Sequence, residues 1–255
     1  MSAEKIIGVV GGMGPYAGLN LVEKIFDHTR AASDADHLPV ALLSYPDRIP
    51  DRTAYLLGET ETNPAEAIVE IALTLDRLGA TVAGLPCNTA HAPRIFDVVT
   101  ARLREAGARL RLLNMIEETI RFLKEEHPEC TRIGVLSTLG SYRIGLHKRA
   151  LEAAGLEAVL PDENVQEHIV HRTIYDPSYG LKAQSNPPSK IARQSLLNAI
   201  EHLREKGAEA ILLGCTELAL AIPEAEVEAL PIIDPTVVLA RALIRETHPD
   251  KLKPL

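Results

Sequence analysis

Aromatic side chains are scarce, at 4% of 255 residues. That removes the stacking platform on which single-stranded nucleic acids are held. An excess of basic charge is also missing. The formal net charge is −8 at pH 7, the wrong sign for a surface that neutralises phosphates. No apolar run approaches the roughly 20 residues that span a bilayer. The N-terminal stretch MSAEKIIGVVGG enters an apolar run too short for a signal peptide and has no cleavage pattern. No long segment is polar and biased, so disorder is not expected. Cysteine is rare and odd in number, at three, so a disulfide framework is not expected either. What remains is a soluble, cytoplasmic protein, 46% hydrophobic, able to bury one large core or two modest ones. Nucleic acid and membrane are excluded as partners, and a small-molecule site is the better expectation.

Apolar runs alternate with helix-like stretches along the whole chain. The first four are IIGVVGG, PVALLSYP, TVAGLPC and RLLNM; the next four are RIGVLST, LEAVLP, EAILLGC and LPIID. Short continuous runs of Val, Ile and Leu suit strands buried on both faces, as in parallel sheets covered by helices. A helix before Cys87 is signalled by Asn63 as N-cap, Pro64 at the first position and Glu66 to complete a capping box. Ile68, Ile71, Ala72, Leu75 and Leu78 give it an apolar stripe, and Gly79 a stop. A similar helix precedes Cys215, with Ser189 as cap, Leu196, Ile200 and Leu203 inside, and Gly207 as the stop.

The two stretches keep one register. Gly79 precedes Cys87 by eight positions, and Gly207 precedes Cys215 by eight. The longer frame agrees: Gly8 to Cys87 is 79 positions and Gly134 to Cys215 is 81. Both copies leave their last strand into a helix, near 116–126 and near 236–246. The chain therefore reads as two similar α/β halves. Ligands of such sheets sit at the carboxyl ends of the strands, where both cysteines fall, in GLPCNTAH and LLGCTELA.

A lone strand-end cysteine is most often a small buried hydrophobe. Two in matching settings ask for a joint function. Helix N-termini beyond each strand favour thiolate and bind a carboxylate. Asn88, Thr89 and Thr216 add donors. A disulfide is disfavoured by the compartment. A metal wants more soft ligands than two and C-x-x-C spacing, and none is expected. Covalent catalysis needs a base, for which His91 stays open, either as support for Cys87 or as packing. The symmetric arrangement best fits two acid/base groups on opposite faces of one carbon: a thiolate takes a proton and the opposite thiol returns one. Preorganised donors must then stabilise the carbanion, and no electron-sink cofactor is needed. Cys130, in the polar HPECTR turn, looks structural.

These residues resemble the aspartate/glutamate racemase family, the kind independent of pyridoxal phosphate. The markers are VGGMGP (Val10 to Pro15), IPDRT (Ile49 to Thr53), PCNTAH (Pro86 to His91), IYDPSYGLK (Ile174 to Lys182) and GCTEL (Gly214 to Leu218), spread over nearly the whole chain. The resemblance implies two similar α/β/α domains with parallel sheets, related by a pseudo-twofold, the active site in the cleft between them, and a homodimer. It implies a first domain of residues 1–115 plus 225–255 carrying Cys87, and a second of 116–224 carrying Cys215. Cys87 and Cys215 would be the acid/base pair. Met13 and Gly14 would line the cleft, and Asn88, Thr89 and Thr216 would hold the α-carboxylate. Arg52 would meet the side-chain carboxylate, with Lys182 in a similar role and Glu217 beside the second cysteine. The substrate would be a small acidic amino acid, aspartate or glutamate.

Other signals are weaker. GMGPYA, Gly12 to Ala17, fits the dinucleotide pattern G-x-G-x-x-A, but Pro15 removes an N–H and no acidic residue closes the second strand. A tight glycine turn explains it as well. His168 and His171, near Glu163 and Glu167, read as a solvated helix face rather than a metal site. Arg48 competes with Arg52 as the substrate-gripping arginine. Asp176 to Lys190 is long and Pro-rich and is a candidate lid. Two rival functions stay open: an isomerase or decarboxylase acting on a small diacid through one cysteine, and a non-catalytic nucleotide or metabolite binder.

Overall fold

Runs of Val, Ile and Leu buried on both faces set the architecture. The computed structural model describes residues 5–255; the first four residues of MSAEKIIGVVGG lie outside the described residues. The first strands are β1 (Ile6–Gly11), β2 (Val40–Ser44), β3 (Ala80–Gly84) and β4 (Arg111–Leu112). They form a parallel sheet in the order β2-β1-β3-β4. Then come β5 (Arg132–Ser137), β6 (Glu157–Val159), β7 (Ala210–Gly214), β8 (Glu226–Val227) and β9 (Leu230–Ile233). Their order is β6-β5-β7-β9-β8. The four parallel strands β6, β5, β7 and β9 repeat the order of the first sheet strand for strand. All eight expected runs are strands. β8 is an addition, paired antiparallel with β9.

The chain divides into two units. One runs up to Glu118 and includes Thr236–Leu255; the other is Thr119–Pro235. The expected return to the first domain at residue 225 comes later than that. Residues 225–235 supply β8 and β9, and β9 places Ile232 and Ile233 opposite Ile211 and Leu212 of β7. Strand pairing thus keeps this stretch in the second unit. The helix Pro235–Thr247 does return, and its Leu239 and Leu243 share a core with Ile7, Val9 and Leu21. The second core gathers Leu136, Leu196, Ile200, Leu203, Ile211 and Leu213. Among the described residues no helix is long and apolar enough to cross a membrane.

Local chemistry explains the crossover helices. Asn63 Oδ1 accepts from Ala65 N at 2.9 Å at the start of the helix Ala65–Arg77. Glu66 does not close a capping box; its carboxylate is exposed and pairs with Arg102 at 3.5 Å. Ser189 caps the helix Lys190–Glu205: its Oγ accepts from Ala192 N at 3.0 Å and donates to Tyr179 O at 2.8 Å. Gly79 and Gly207 follow the ends of these helices with φ of 91° and 84°, left-handed values that glycine adopts without a Cβ clash.

A second matched pair of glycines lets each helix lie close on its sheet. A Cβ at Gly8 would stand 3.0 Å from Ala83 Cβ and 3.2 Å from Ala80 Cβ. One at Gly134 would stand 2.7 Å from Ile211 Cδ1, 3.0 Å from Ala208 Cβ and 3.2 Å from Leu203 Cδ1. Gly134→Ala is therefore expected to destabilise the protein by about 1–3 kcal/mol through overpacking. Urea unfolding of the full chain checks this. Adding Ala208→Gly, which vacates part of the contested space, should make the double variant less destabilised than the sum of the two single changes.

Candidate active site

In the first unit the site grows from the end of β3. The strand runs out at Gly84, and Leu85, Pro86 and Cys87 lead into a short 3₁₀ turn, Asn88–His91. Cys87 is 6% exposed, and Asn88 and Thr89 beside it are buried. His91 is the residue that holds this turn. Its Nδ1–H donates to the carbonyl oxygen of Cys87 at 2.9 Å, its ring stacks on Phe96 with centroids 4.8 Å apart, and it also faces the Leu113 carbonyl. Burial lowers its pKa to about 4, against the smaller upward pull of the two carbonyls. His91 is thus neutral and bonded to the main chain of Cys87, which favours its packing role over that of base.

Arg52 opens the helix Arg52–Leu57, capped by Asp51, whose carboxylate accepts from Ala54 N at 2.9 Å. The helix packs against the turn Asn88–His91, so Arg52 and the residues after Cys87 are brought together. Arg52 is 7% exposed, and its Nη1 donates to Pro50 O at 3.2 Å. Arg48 differs: it is exposed and lies over the Tyr45 ring at 4.5 Å. Of the two arginines, Arg52 has the buried, preset position that a bidentate carboxylate partner needs. Met13 is buried, and Gly14, half-buried, precedes the helix Pro15–Asp27. Gly12 has φ 103°, and a Cβ there would stand about 3 Å from the backbone of Tyr45 and Pro46. At Gly12 the space that glycine leaves is filled by the protein's own chain, as a tight glycine turn requires.

In the second unit the site grows from the end of β7. Cys215 is 5% exposed, Thr216 is buried, and Glu217 is 4% exposed. The Cys215 thiol donates to Glu217 Oε2 at 3.0 Å, and Thr216 Oγ1 donates to the same oxygen at 3.4 Å. Burial and the Glu217 charge push the Cys215 thiol well above its ordinary pKa, while the Lys182 ammonium pulls it down. Lys182 is therefore part of this cluster. Its Nζ lies 5.0 Å over the ring of Tyr175, and that ring stacks on His171 with centroids 4.8 Å apart.

The candidate lid segment is strapped down around Lys182. Leu181 N and Lys182 N donate to Thr173 O and Ile174 O at 2.8 and 3.0 Å, Leu181 is fully buried, and Ser185 Oγ donates to Leu181 O at 2.6 Å. Several residues of the cluster carried no sequence signal. A π-helical turn, Gln166–His171, replaces the ordinary helix expected there. It buries Gln166, whose Nε2 donates to Ser137 O at the end of β5 at 2.9 Å. Tyr175 lies in the marker IYDPSYGLK without a role assigned to it there; the i, i+4 spacing from His171 is the one hint of their stacking. Cys87, Cys130 and Cys215 are all free thiols. Cys130 sits apart from both clusters, its Sγ donating to Glu129 and to Glu209 O at 3.6 and 3.7 Å.

Residues 10–243 match the family model described as Asp/Glu/Hydantoin racemase. The broad specificity amino-acid racemase RacX of Bacillus subtilis is 25% identical over 94% of this chain and 96% of its own length. The solved structure of an aspartate racemase from Picrophilus torridus is 30% identical, with a TM-score of 0.79, over 98% of this chain and 96% of that one. An aspartate racemase homologue from Pyrococcus horikoshii, 23% identical, shares the fold with a TM-score of 0.70 over 96% and 99% of the two chains.

The buried His91 gives a pH signature. Its pKa is about 4 in the fold against 6.5 as the ordinary value, so between these values the unfolded chain binds a proton that the folded chain does not. Stability from this residue is complete above pH 6.5 and declines as pH falls towards 4, by on the order of 3 kcal/mol. Asparagine can present an N–H to the Cys87 carbonyl without titrating. Urea unfolding at pH 7.5 and 4.5 should therefore show a smaller acid-induced loss in His91→Asn than in the wild type.

Proposed function

The chain belongs to the Asp/Glu/hydantoin racemase family, and on that premise we propose that it inverts the α-carbon of aspartate or glutamate with two thiols and no cofactor. One observation carries this reading. Two buried free thiols stand at the end of the third strand of two parallel sheets that share one strand order, each followed by buried donor side chains. That is a duplicated acid/base station.

In this reading Arg52 grips the side-chain carboxylate with its planar fork, and Lys182 adds a point charge. Asn88, Thr89 and Thr216 hold the α-carboxylate. One cysteine, as thiolate, takes the α-proton: an S–H bond forms as the C–H bond breaks, and the electron pair passes onto the α-carbon and its carboxylate. The other cysteine, as thiol, delivers its proton to the opposite face. The reading requires the two thiols to meet one carbon from opposite sides in the substrate complex. The α-carbon is a far weaker acid than a free thiol of pKa about 8.5. Donors aimed at the carboxylate, where charge develops, supply the missing stabilisation.

The relative named an aspartate racemase makes aspartate the first substrate to test, and the relative named for broad specificity argues for testing beyond it. One methylene changes binding by only about 1–3 kcal/mol, so both acids belong in the assay.

Proton NMR in D₂O with L- and D-aspartate and L- and D-glutamate, without added cofactor, should show loss of the α-proton signal. Chiral chromatography should show the opposite enantiomer appearing. Cys87→Ser and Cys215→Ser should each lower racemisation by about 10² or more, the size of a lost general acid or base. If all four amino acids keep their α-protons under reducing conditions, the acidic amino-acid assignment fails. Turnover of a small diacid surviving loss of one thiol would then favour the single-cysteine alternative.

A further inference from the structure

The two copies diverge after their cysteines, and one of the differences puts a carboxylate in the second copy alone. The residue two after the first cysteine is Thr89; two after the second it is Glu217. A racemase with two interchangeable thiols has no need of a carboxylate beside one of them. The substrate of the proposed reaction carries two carboxylates, so a buried carboxylate is a poor partner for either. The geometry gives Glu217 a different partner. Its Oε2 is 3.0 Å from Cys215 Sγ, with both residues out of solvent.

We propose that Glu217 is a positioning residue that holds the proton on Cys215, so that this cysteine is the resting acid of the pair, and makes its thiolate the stronger base once that proton has been given up. The inference rests on the two-thiol reading for its role in turnover. When Cys215 donates, its S–H bond breaks as the new C–H bond forms, leaving a thiolate beside a carboxylate. The two negative charges repel, which drives the thiolate to recover a proton from the next α-carbon or from solvent. A more basic thiolate is better matched to a weak carbon acid. Cys87 has a threonine in the corresponding place, so no carboxylate stands two residues after that thiol.

Charged or titratable groups from three segments of the second unit lie near Cys215 or its strand end. Glu217 lies on its own turn. Lys182, from the strapped segment after the helix Arg172–Tyr175, opposes Glu217 by favouring the thiolate. His147, from the helix Leu146–Ala153, fills the space beside Gly214 that a Cβ would need. Cys215 is also a member of the second apolar core, with Leu213 and Leu218. Burial and Glu217 both act to keep the thiol protonated, and their sum exceeds the pull of Lys182.

The test follows iodoacetamide alkylation of Cys215 against pH, resolved from the other thiols by peptide mass spectrometry, on the full chain without substrate. Because no turnover is involved, failure of this inference is distinguishable from failure of the racemase reading. In the wild type the alkylation midpoint should lie above that of a free thiol, about 8.5. Glu217→Gln keeps the shape and removes the charge, and should move the midpoint down by about one pH unit or more. Glu217→Asp, which keeps the charge, should restore most of the upward displacement. A change that merely loosened the fold would not separate Gln from Asp in this way. An unmoved or raised midpoint in Glu217→Gln overturns the proposal. So does a wild-type midpoint at or below that of a free thiol, a result that needs no variant to fold.

Discussion

Parallel pairing of β1 with β3 and of β5 with β7 is the constraint from which the rest of each unit follows. Parallel neighbours cannot be joined by a tight turn, so each pair needs a crossover element, and in both units a helix supplies it before the third strand. The strands are then covered on both faces, which is why they are apolar at nearly every position. Close cover demands a residue without a side chain in the first strand, met by Gly8 and Gly134. The carboxyl ends of the central strands open onto turns, and both thiols of interest sit there. The chemistry is placed where the packing ends.

Each thiol follows the third strand of its own unit, and the two differ in surroundings. Cys87 is fixed through its main chain by His91, which donates to its carbonyl oxygen. Cys215 is held through the sulfur itself by Glu217. Duplication accounts for the common frame, and the residues that follow each cysteine depart from it. A buried carboxylate costs stability unless its hydrogen bonds are made; here a thiol and a threonine hydroxyl both donate to one of its oxygens.

Much of this was legible from residues alone. Eight apolar runs became eight strands, Asn63 and Ser189 supply helix-start acceptors as their side chains suggest, and the repeated Gly-to-Cys spacing marked the ends of β3 and β7. The failures have physical causes. β8 escaped because its turn places Glu228 and Ala229 at φ 49° and 61°, where glycine or asparagine would have announced it. The late return of the chain to the first unit follows from the same hairpin. Glu66 has the spacing of a capping box but is taken by Arg102 across a helix pair. The π-helical turn at Gln166–His171 leaves no periodic signature. Lys182 lies in the segment read as a candidate lid, and that stretch is anchored by main-chain bonds to Thr173 and Ile174, which spacing does not reveal. The choice between Arg48 and Arg52 needed burial, and the bond from Cys215 to Glu217 needed the shape of a non-helical turn.

The order of segments along the chain has a consequence for biosynthesis. Thr119–Pro235 is continuous, so every side chain of its core is present once that stretch has left the ribosome. The first unit is interrupted: Leu239 and Leu243, which cover Gly84 of β3, belong to a helix made only after the second unit. The first sheet therefore waits, one face covered only in part, by Leu21 and Ile25, while a whole second unit is translated. Domains tend to fold as units when their chain is available, so the part synthesised second is the part able to finish first. During that interval the apolar face of β1 and β3 is where a nascent chain of this protein is most exposed to a chaperone or to its neighbours.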